Sequence, residues 1–355
     1  MSCDKSLDIQ HVIQRGFDDQ TPLNIIGTGS KAFYGRPVED THTPVDTSGH
    51  CGITSYEPTE LVITVRNGTP LTEIESALEE QNQLLPFEPP HFGQGGSIGG
   101  IVATGLSGPR RPYSGSVRDA LLGVQCINGK GEILRFGGQV IKNVAGYDVS
   151  RLMAGSMGTL AVLLEMSLRV IPKPEQDITV VFEQEAEQAL QTMTRLSGQA
   201  LPISGSCHHN NSLHIRLSGN EAAVQHARTI IGGDELPDAV NFWKDLRDQK
   251  LDFFADERPL WRLSLPPSTR TLELEGDCIT DWGGAQRWLK TDEPATTIRK
   301  LCDTHAGHAT LYNPGSTGIE AFQPMSTAIA NLHTRLKASF DPHGILNPGR
   351  MYPEI

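Results

Sequence analysis

Two runs of glycine and small polar residues are the first candidates for ligand chemistry. They are Gly27-Thr28-Gly29-Ser30-Lys31, which follows the apolar pair Ile25-Ile26, and the longer run from Gly95 through Gly96, Ser97, Ile98, Gly99 and Gly100 to Thr104-Gly105. Without a Cβ, successive glycine N–H groups can converge on one anionic oxygen. Taken alone, the first run is a plain turn: Ala32 breaks a Gly-x-Gly-x-x-Gly spacing, and no Gly-x-x-x-x-Gly-Lys-Ser/Thr is present. The second run shifts that reading. It is flanked by Pro86, Pro89, Pro90 and Pro109, its small side chains cannot build a core, and the interleaved Ile98, Ile101 and Val102 argue against a freely solvated linker. The expectation is backbone pressed against a flat or phosphorylated ligand.

Composition limits what else the chain can be. The 355 residues suggest roughly two domains, and a net charge of -12 lacks the basic footprint that phosphate backbones require. Nucleic-acid binding is disfavoured on that ground. The longest uncharged stretch, His91 to Pro109, is rich in glycine and is a loop-rich segment, not a transmembrane helix; the N-terminus carries no signal-peptide run. Cysteines at 3, 51, 126, 207, 278 and 302 form no Cys-x-x-Cys pair and match neither a disulfide framework nor an iron-sulfur or zinc site, so a reducing cytoplasm is the simplest setting.

The 36 glycines cluster between Gly27 and Gly158 and nearly vanish from Pro172 to Gln199, which places a boundary near Pro172-Lys173-Pro174. Before it, Leu61 to Val65 reads as a strand, and Thr69-Pro70 opens a helix with Leu71, Ile74 and Leu78 on one face. Asn128-Gly129-Lys130-Gly131 joins a hairpin, and Thr159 to Ile171 reads as one long apolar strand. Beyond the boundary, strands 178–182, 203–207 and 213–217 alternate with helices 185–196 and 221–231, the order of a split βαβ sandwich, and a further apolar helix covers 240–254. A tail helix, 327–340, stops at Asp341-Pro342, and no internal repeat is evident.

The segments PFEPPHFGQGGSIGGIVATGLSGPRRPYSGSVRD, NGKGEILRFGG, KNVAGYD and RLMAGSMGTL resemble FAD-binding domains of the vanillyl-alcohol oxidase/PCMH superfamily. Tyr56 to Glu60, Trp261 to Ser264, Asp281 to Trp288 and Asn347 to Arg350 extend the resemblance over almost the full chain, toward the FAD-binding subunits of bacterial glycolate oxidases, the GlcE type. The resemblance implies an α+β fold: a two-subdomain PCMH-type FAD-binding domain over 1–174, a ferredoxin-like α+β cap domain for substrate or partner over 175–325, and a C-terminal helix and arm over 326–355 that returns to the FAD domain. It also implies that Gly27, Thr28, Gly29, Ser30 and Lys31 form a first pyrophosphate-binding loop and Gly96, Ser97, Ile98, Gly99 and Gly100 a second. Thr104, Ser107, Ser114 and Arg118 match positions that line the flavin or its ribityl-diphosphate, and Gly158 and Val162 match the strand entry at the adenosine end. Ser97 and Ala161 replace a commoner Thr and Gly, both by small residues. Because Gly27 to Lys31 offers no His or Cys for a tether, non-covalent FAD is expected.

A flavin accepts two electrons, and the protein must orient a substrate C–H and hold the substrate anion. A small 2-hydroxy acid needs a cationic clamp and a base. Arg262 and Arg287, each beside a Trp, and His308 are the candidate catalytic residues. For each Arg the alternative is stacking on that Trp or pairing with an acid. His305 is expected to end a helix and His308 to begin a strand, and His208-His209 to be exposed hairpin residues, so no metal site is expected. Two readings remain open. One is a subunit that itself oxidises a 2-hydroxy acid; the other is a flavin-bearing accessory, served by a sister FAD-containing subunit and an iron-sulfur subunit. The resemblance implies such a complex, cytoplasmic or peripheral at the inner membrane through its partners.

Overall fold

The computed structural model describes residues 3–93, 95–138, 148–314 and 318–355, and the chain divides into two compact units. The first comprises residues 1–107, 116–172 and 324–355, and the second 108–115 and 173–323. The expected boundaries at 174 and 325 therefore shift by about two residues, and Gly108–Gly115 groups with the second unit. Of the segment KNVAGYD, all but Asp148 lies outside the described residues.

Strands of the first unit are β1 (Leu23–Ile26), β2 (Thr43–Asp46), β3 (Ile53–Glu57), β4 (Val62–Arg66), β5 (Gln83–Leu84), β6 (Leu121–Asn128), β7 (Ile133–Gly137), β8 (Ala161–Arg169) and β9 (Ile171–Pro172). The larger sheet is antiparallel in the order β3-β4-β8-β6-β7, while β1 and β2 pair in parallel and β5 pairs with β9. The expected single strand 159–171 is thus two, its last residues turning away to β5. Central β8 is covered on both sides. Val162 and Leu164 join Ile9, Ile13 and Leu23, whereas Ala161 and Leu163 join a second core with helices Leu71–Glu79 and Ile98–Thr104. Two-sided burial is why this strand is almost continuously apolar instead of alternating.

The C-terminal segment is held to this unit by an ion pair. Lys337 is the buried residue of helix Thr327–Phe340, and its Nζ donates to Thr159 O at 2.7 Å, Leu346 O at 2.7 Å and Asp341 Oδ2 at 2.8 Å. Asp341, 1% exposed, accepts the N–H groups of Ile345 and Leu346 at 3.1 and 2.7 Å. All three ammonium protons are used, the condition under which a buried pair holds its place.

The second unit contains β10 (Gln176–Glu183), β11 (Ile203–His209), β12 (Ser212–Gly219), β13 (Asp234–Glu235), β14 (Leu260–Ser264), β15 (Asp277–Asp281), β16 (Gln286–Lys290) and β17 (His308–Leu311). They form one eight-stranded antiparallel sheet, β13-β10-β12-β11-β15-β16-β14-β17. With helices Ala186–Ser197 and Glu221–Ile231, its first half is a complete split βαβ sandwich; the hairpin between β11 and β12 turns at Asn210 and Asn211, both at positive φ. The second half repeats the strand order and keeps helix Ala295–Thr304, but a loop over 265–276 stands where the first crossover helix would be. Sequence comparison within the chain gives no sign of this repeat. The expected helix 240–254 is two helices, Ala239–Arg247 and Asp252–Ala255, separated at Gln249 with φ 56°.

Replacing Lys337 by Met, or Asp341 by Leu, leaves one charge buried alone and should lower unfolding free energy by roughly 3–5 kcal/mol. The double replacement should recover part of that loss, as read by urea titration of the three variants.

Candidate cofactor site

β1 delivers the chain into the first glycine run, which lines a cavity of about 380 Å³ together with Ser97, Gly100, Ala103 and Thr104 of the second run. Gly29 sits at φ 74°, where a side chain is strained. Lys31 is 7% exposed, and among the described residues its Nζ donates to Ser30 Oγ at 3.0 Å with no carboxylate paired to it. Burial pushes its pKa down to about 8. A Cβ on Gly96 would lie 2.2 Å from that ammonium, and one on Gly27 would come 3.2 Å from Ser97 Oγ. The two runs therefore face each other across a buried cation, and each is glycine where the other approaches. Such a cation, solvated by one hydroxyl and open to a cavity, calls for an anion.

A smaller recess of about 80 Å³ shares Ile25, Gly27, Ser97 and Gly100 with this cavity and adds Thr47, Asn67, Gly99 and Gly158. Asn67 is 5% exposed and its Oδ1 is buried without a hydrogen-bond partner among the described residues, so it can accept from a ligand N–H or O–H. Gly99 is required beside it, since a Cβ there would lie 2.8 Å from Asn67 O.

The C-terminal arm braces the first run from behind. Asn347 Oδ1 accepts the Ile25 N–H at 2.7 Å and its Nδ2 donates to Met157 O at 2.8 Å. The Arg350 guanidinium donates to Ala32 O at 3.0 Å, Tyr34 O at 2.7 Å and Arg36 O, and both residues line the cavity. Sequence reasoning placed Asn347 to Arg350 in a returning arm but did not assign these residues, nor Asn67, to the cofactor; only their polarity at the edge of Pro/Gly turns could have flagged them.

The remaining expected residues are distributed more widely. Ile98 and Val162 lie wholly in core clusters, Ser107 Oγ accepts the Val117 N–H at 3.2 Å, and Arg118 is exposed on helix Val117–Ala120. Ser114 ends the short helix Arg111–Ser114 within the second unit. In that unit Leu263 opposes Arg287 and Trp288 opposes Arg262, so the two arginines leave opposite faces of the sheet. Arg287 is 3% exposed and donates to the carbonyls of Arg270, at 2.7 Å, and Thr269; the Arg262 guanidinium lies 5.9 Å from the Tyr312 ring centre. His308 is exposed at the start of β17, opposite Ser264 and on the Arg262 face. The structure brings His308 and Arg262 to one face and leaves Arg287 on the other. One expectation is corrected: neither His208 nor His209 is an exposed hairpin residue; His208 is 5% exposed with its Nε2 2.8 Å from the Gln184 carbonyl oxygen, and His209 is half-buried.

Residues 2–137 match the FAD binding domain family. The chain is 48% identical over 99% of its length, and 99% of the relative's, to glycolate oxidase subunit GlcE of Escherichia coli K12. It is 33% identical to a D-lactate dehydrogenase of Archaeoglobus fulgidus over 75% of this chain and 72% of that one. In fold it is similar to alkyldihydroxyacetonephosphate synthase, with a TM-score of 0.66 at 15% identity, covering 98% of this chain and 75% of that one. The orphaned Asn67 oxygen, the buried Lys31 ammonium and the glycines beside them together fit an FAD bound along both glycine runs.

A diphosphate favours protonated Lys31, whose pKa of about 8 in the free protein would rise on binding. FAD affinity should be flat below that value and fall by up to about tenfold per pH unit above it. Lys31→Met should weaken binding by roughly tenfold or more at pH 7 and remove the pH dependence, measured by flavin fluorescence titration of apoprotein.

Proposed function

The chain belongs to the family of GlcE-type glycolate oxidase subunits, and on that premise we propose that it is the FAD-bearing subunit of a heteromeric complex oxidising glycolate to glyoxylate. The cavity between the two glycine runs, with Lys31 buried in its wall, is the observation that carries this reading. FAD supplies a two-electron acceptor when bound. The chain's own residues hold and orient it: backbone N–H groups of Gly27–Lys31 and the Lys31 ammonium meet its negative charge, Asn67 offers an acceptor in the recess, and Asn347 and Arg350 fix the first run. Neither His nor Cys occurs in that run, and the nearby His91 is paired with Glu75 at 3.0 Å, which supports non-covalent FAD.

Within the complex, the partners are a sister FAD-containing subunit and an iron-sulfur subunit, with a small 2-hydroxy acid as substrate. No helix among the described residues is long and apolar enough to cross a membrane, and any contact of the complex with the inner membrane is assigned to those partners. The accessory, electron-transferring version of this role is favoured over an autonomous dehydrogenase by the divided arginines: Arg262 and Arg287 do not converge on one carboxylate within the second unit.

Two outcomes follow. Acid precipitation should release all of the yellow chromophore into the supernatant, and coloured precipitate would refute non-covalent binding. Anaerobic glycolate or D-lactate should leave the flavin of the isolated chain oxidised and bleach it once the partner subunits are added, whereas bleaching of the isolated chain would establish autonomous oxidation.

A further inference from the structure

Cys3 and Cys51 stand directly opposite each other in an isolated antiparallel bridge. Cys3 N donates to Cys51 O at 2.8 Å and Cys51 N to Cys3 O at 3.1 Å. That two-bond register sets Cα atoms about 5.5 Å apart, inside the roughly 4.4–6.8 Å range that a disulfide spans. Both thiols are half-buried, while Cys126, Cys207 and Cys302 are buried and Cys278 lies in the other unit. Spacing along the chain could not reveal this pair, since the bridge exists only after the N-terminal segment has docked.

Both sides of the bridge are anchored. Lys5 N donates to His50 Nδ1 at 3.0 Å, and from Ser6 the chain enters a helix whose Ile9 and Ile13 are core residues. Opposite, Gly68 N donates to His50 O at 2.9 Å, and Gly52 N donates to Thr69 Oγ1 at 2.9 Å. The same turn reaches the cofactor cavity: Thr47 donates from both N and Oγ1 to Ile26 O, at 2.8 and 3.0 Å, immediately before Gly27, and lines the recess with Asn67.

We propose that Cys3 and Cys51 form a reversible disulfide that closes a covalent ring around β1, the first glycine run and β2, and slows the loosening of that run. The oxidant is a low-molecular-weight disulfide. One thiolate attacks it, forming a mixed disulfide and expelling one reduced thiol; the second thiolate attacks the protein sulfur of that mixed disulfide and expels the other. Two protein thiols become one disulfide, and one small disulfide becomes two thiols. A half-exposed cross-strand bond of this kind belongs to the labile, reducible class and not to permanent staples.

The coupling to the cofactor rests on the FAD reading above, while the bond itself does not. Purified full-length protein is equilibrated with oxidised glutathione, alkylated, digested and analysed by mass spectrometry. The expected result is a Cys3–Cys51 linked peptide pair, lighter by two hydrogens, restored by dithiothreitol and absent in Cys51→Ser. Separate glutathione adducts at the two positions, bridges between two molecules, or a bond to Cys278 would overturn the proposal. In oxidised holoprotein FAD release should slow several-fold, with Cys51→Ser insensitive to redox state; equal rates in the oxidised and reduced wild type would overturn the coupling to the cavity.

Discussion

The structure of the first unit is organised around an ammonium that has been taken out of water without a counter-ion among the described residues. Lys31 sits at 7% exposure with Ser30 Oγ as its hydrogen-bond partner among the described residues. Desolvating a cation this way is unfavourable unless an anion completes the site. Its position dictates the neighbouring residue types. Gly96 must lack a Cβ for the ammonium to stay where it is, Gly29 must lack one for the run to turn at φ 74°, and Gly27 must leave room for Ser97. At Gly96, glycine is therefore the shape requirement of a charge held against backbone.

A run of glycines is conformationally loose, and order has to be imposed from outside. It comes from the far end of the chain. Asn347 pairs with Ile25, and Arg350 gathers the carbonyls of Ala32, Tyr34 and Arg36, so the segment that must meet the cofactor is clamped at its entry and its exit. The arm in turn depends on Lys337 and Asp341, which satisfy its carbonyls and N–H groups where it turns back. Packing of the last residues is thus part of the cofactor site although they are remote in sequence.

This explains what was legible in advance and what was not. Glycine clusters, the hairpin at Asn128–Gly131 and the helix carrying Leu71, Ile74 and Leu78 are local signals, written in residue type and spacing. Gly27–Lys31, Ser97, Gly99, Gly100, Thr104 and Gly158 accordingly line the two cavities. Asn67, Asn347 and Arg350 were invisible as site residues because their roles are defined by partners brought together only by folding. Ile98 and Val162 share motifs with residues that line the cavities, yet their side chains are buried in the core, because a motif does not decide which way a side chain points. The same holds for Arg262 and Arg287, whose separation follows from pairing register between β14 and β16, which spacing does not encode.

The burial of Arg287 has its own physical account. Where the first half of the second unit has a crossover helix, which satisfies its backbone internally, the second half has a loop over 265–276 whose polar groups need other partners. Arg287 reaches the carbonyls of Thr269 and Arg270 from the sheet side, and Glu187 accepts the N–H and hydroxyl of Thr271, each at 3.0 Å, from the neighbouring helix. Leu272 and Leu274 then pack on the cluster that includes Trp261 and Leu289. A cavity of about 610 Å³ is bordered by Thr271, Leu272 and Leu274 of the loop and by Leu263, Arg287 and Leu289 of the sheet. A guanidinium engaged in replacing a helix's internal hydrogen bonds is poorly placed to leave them for a substrate carboxylate. Arg287, singled out in the sequence as a cation beside a Trp, is held in the structure by the carbonyls of the loop that replaces a helix.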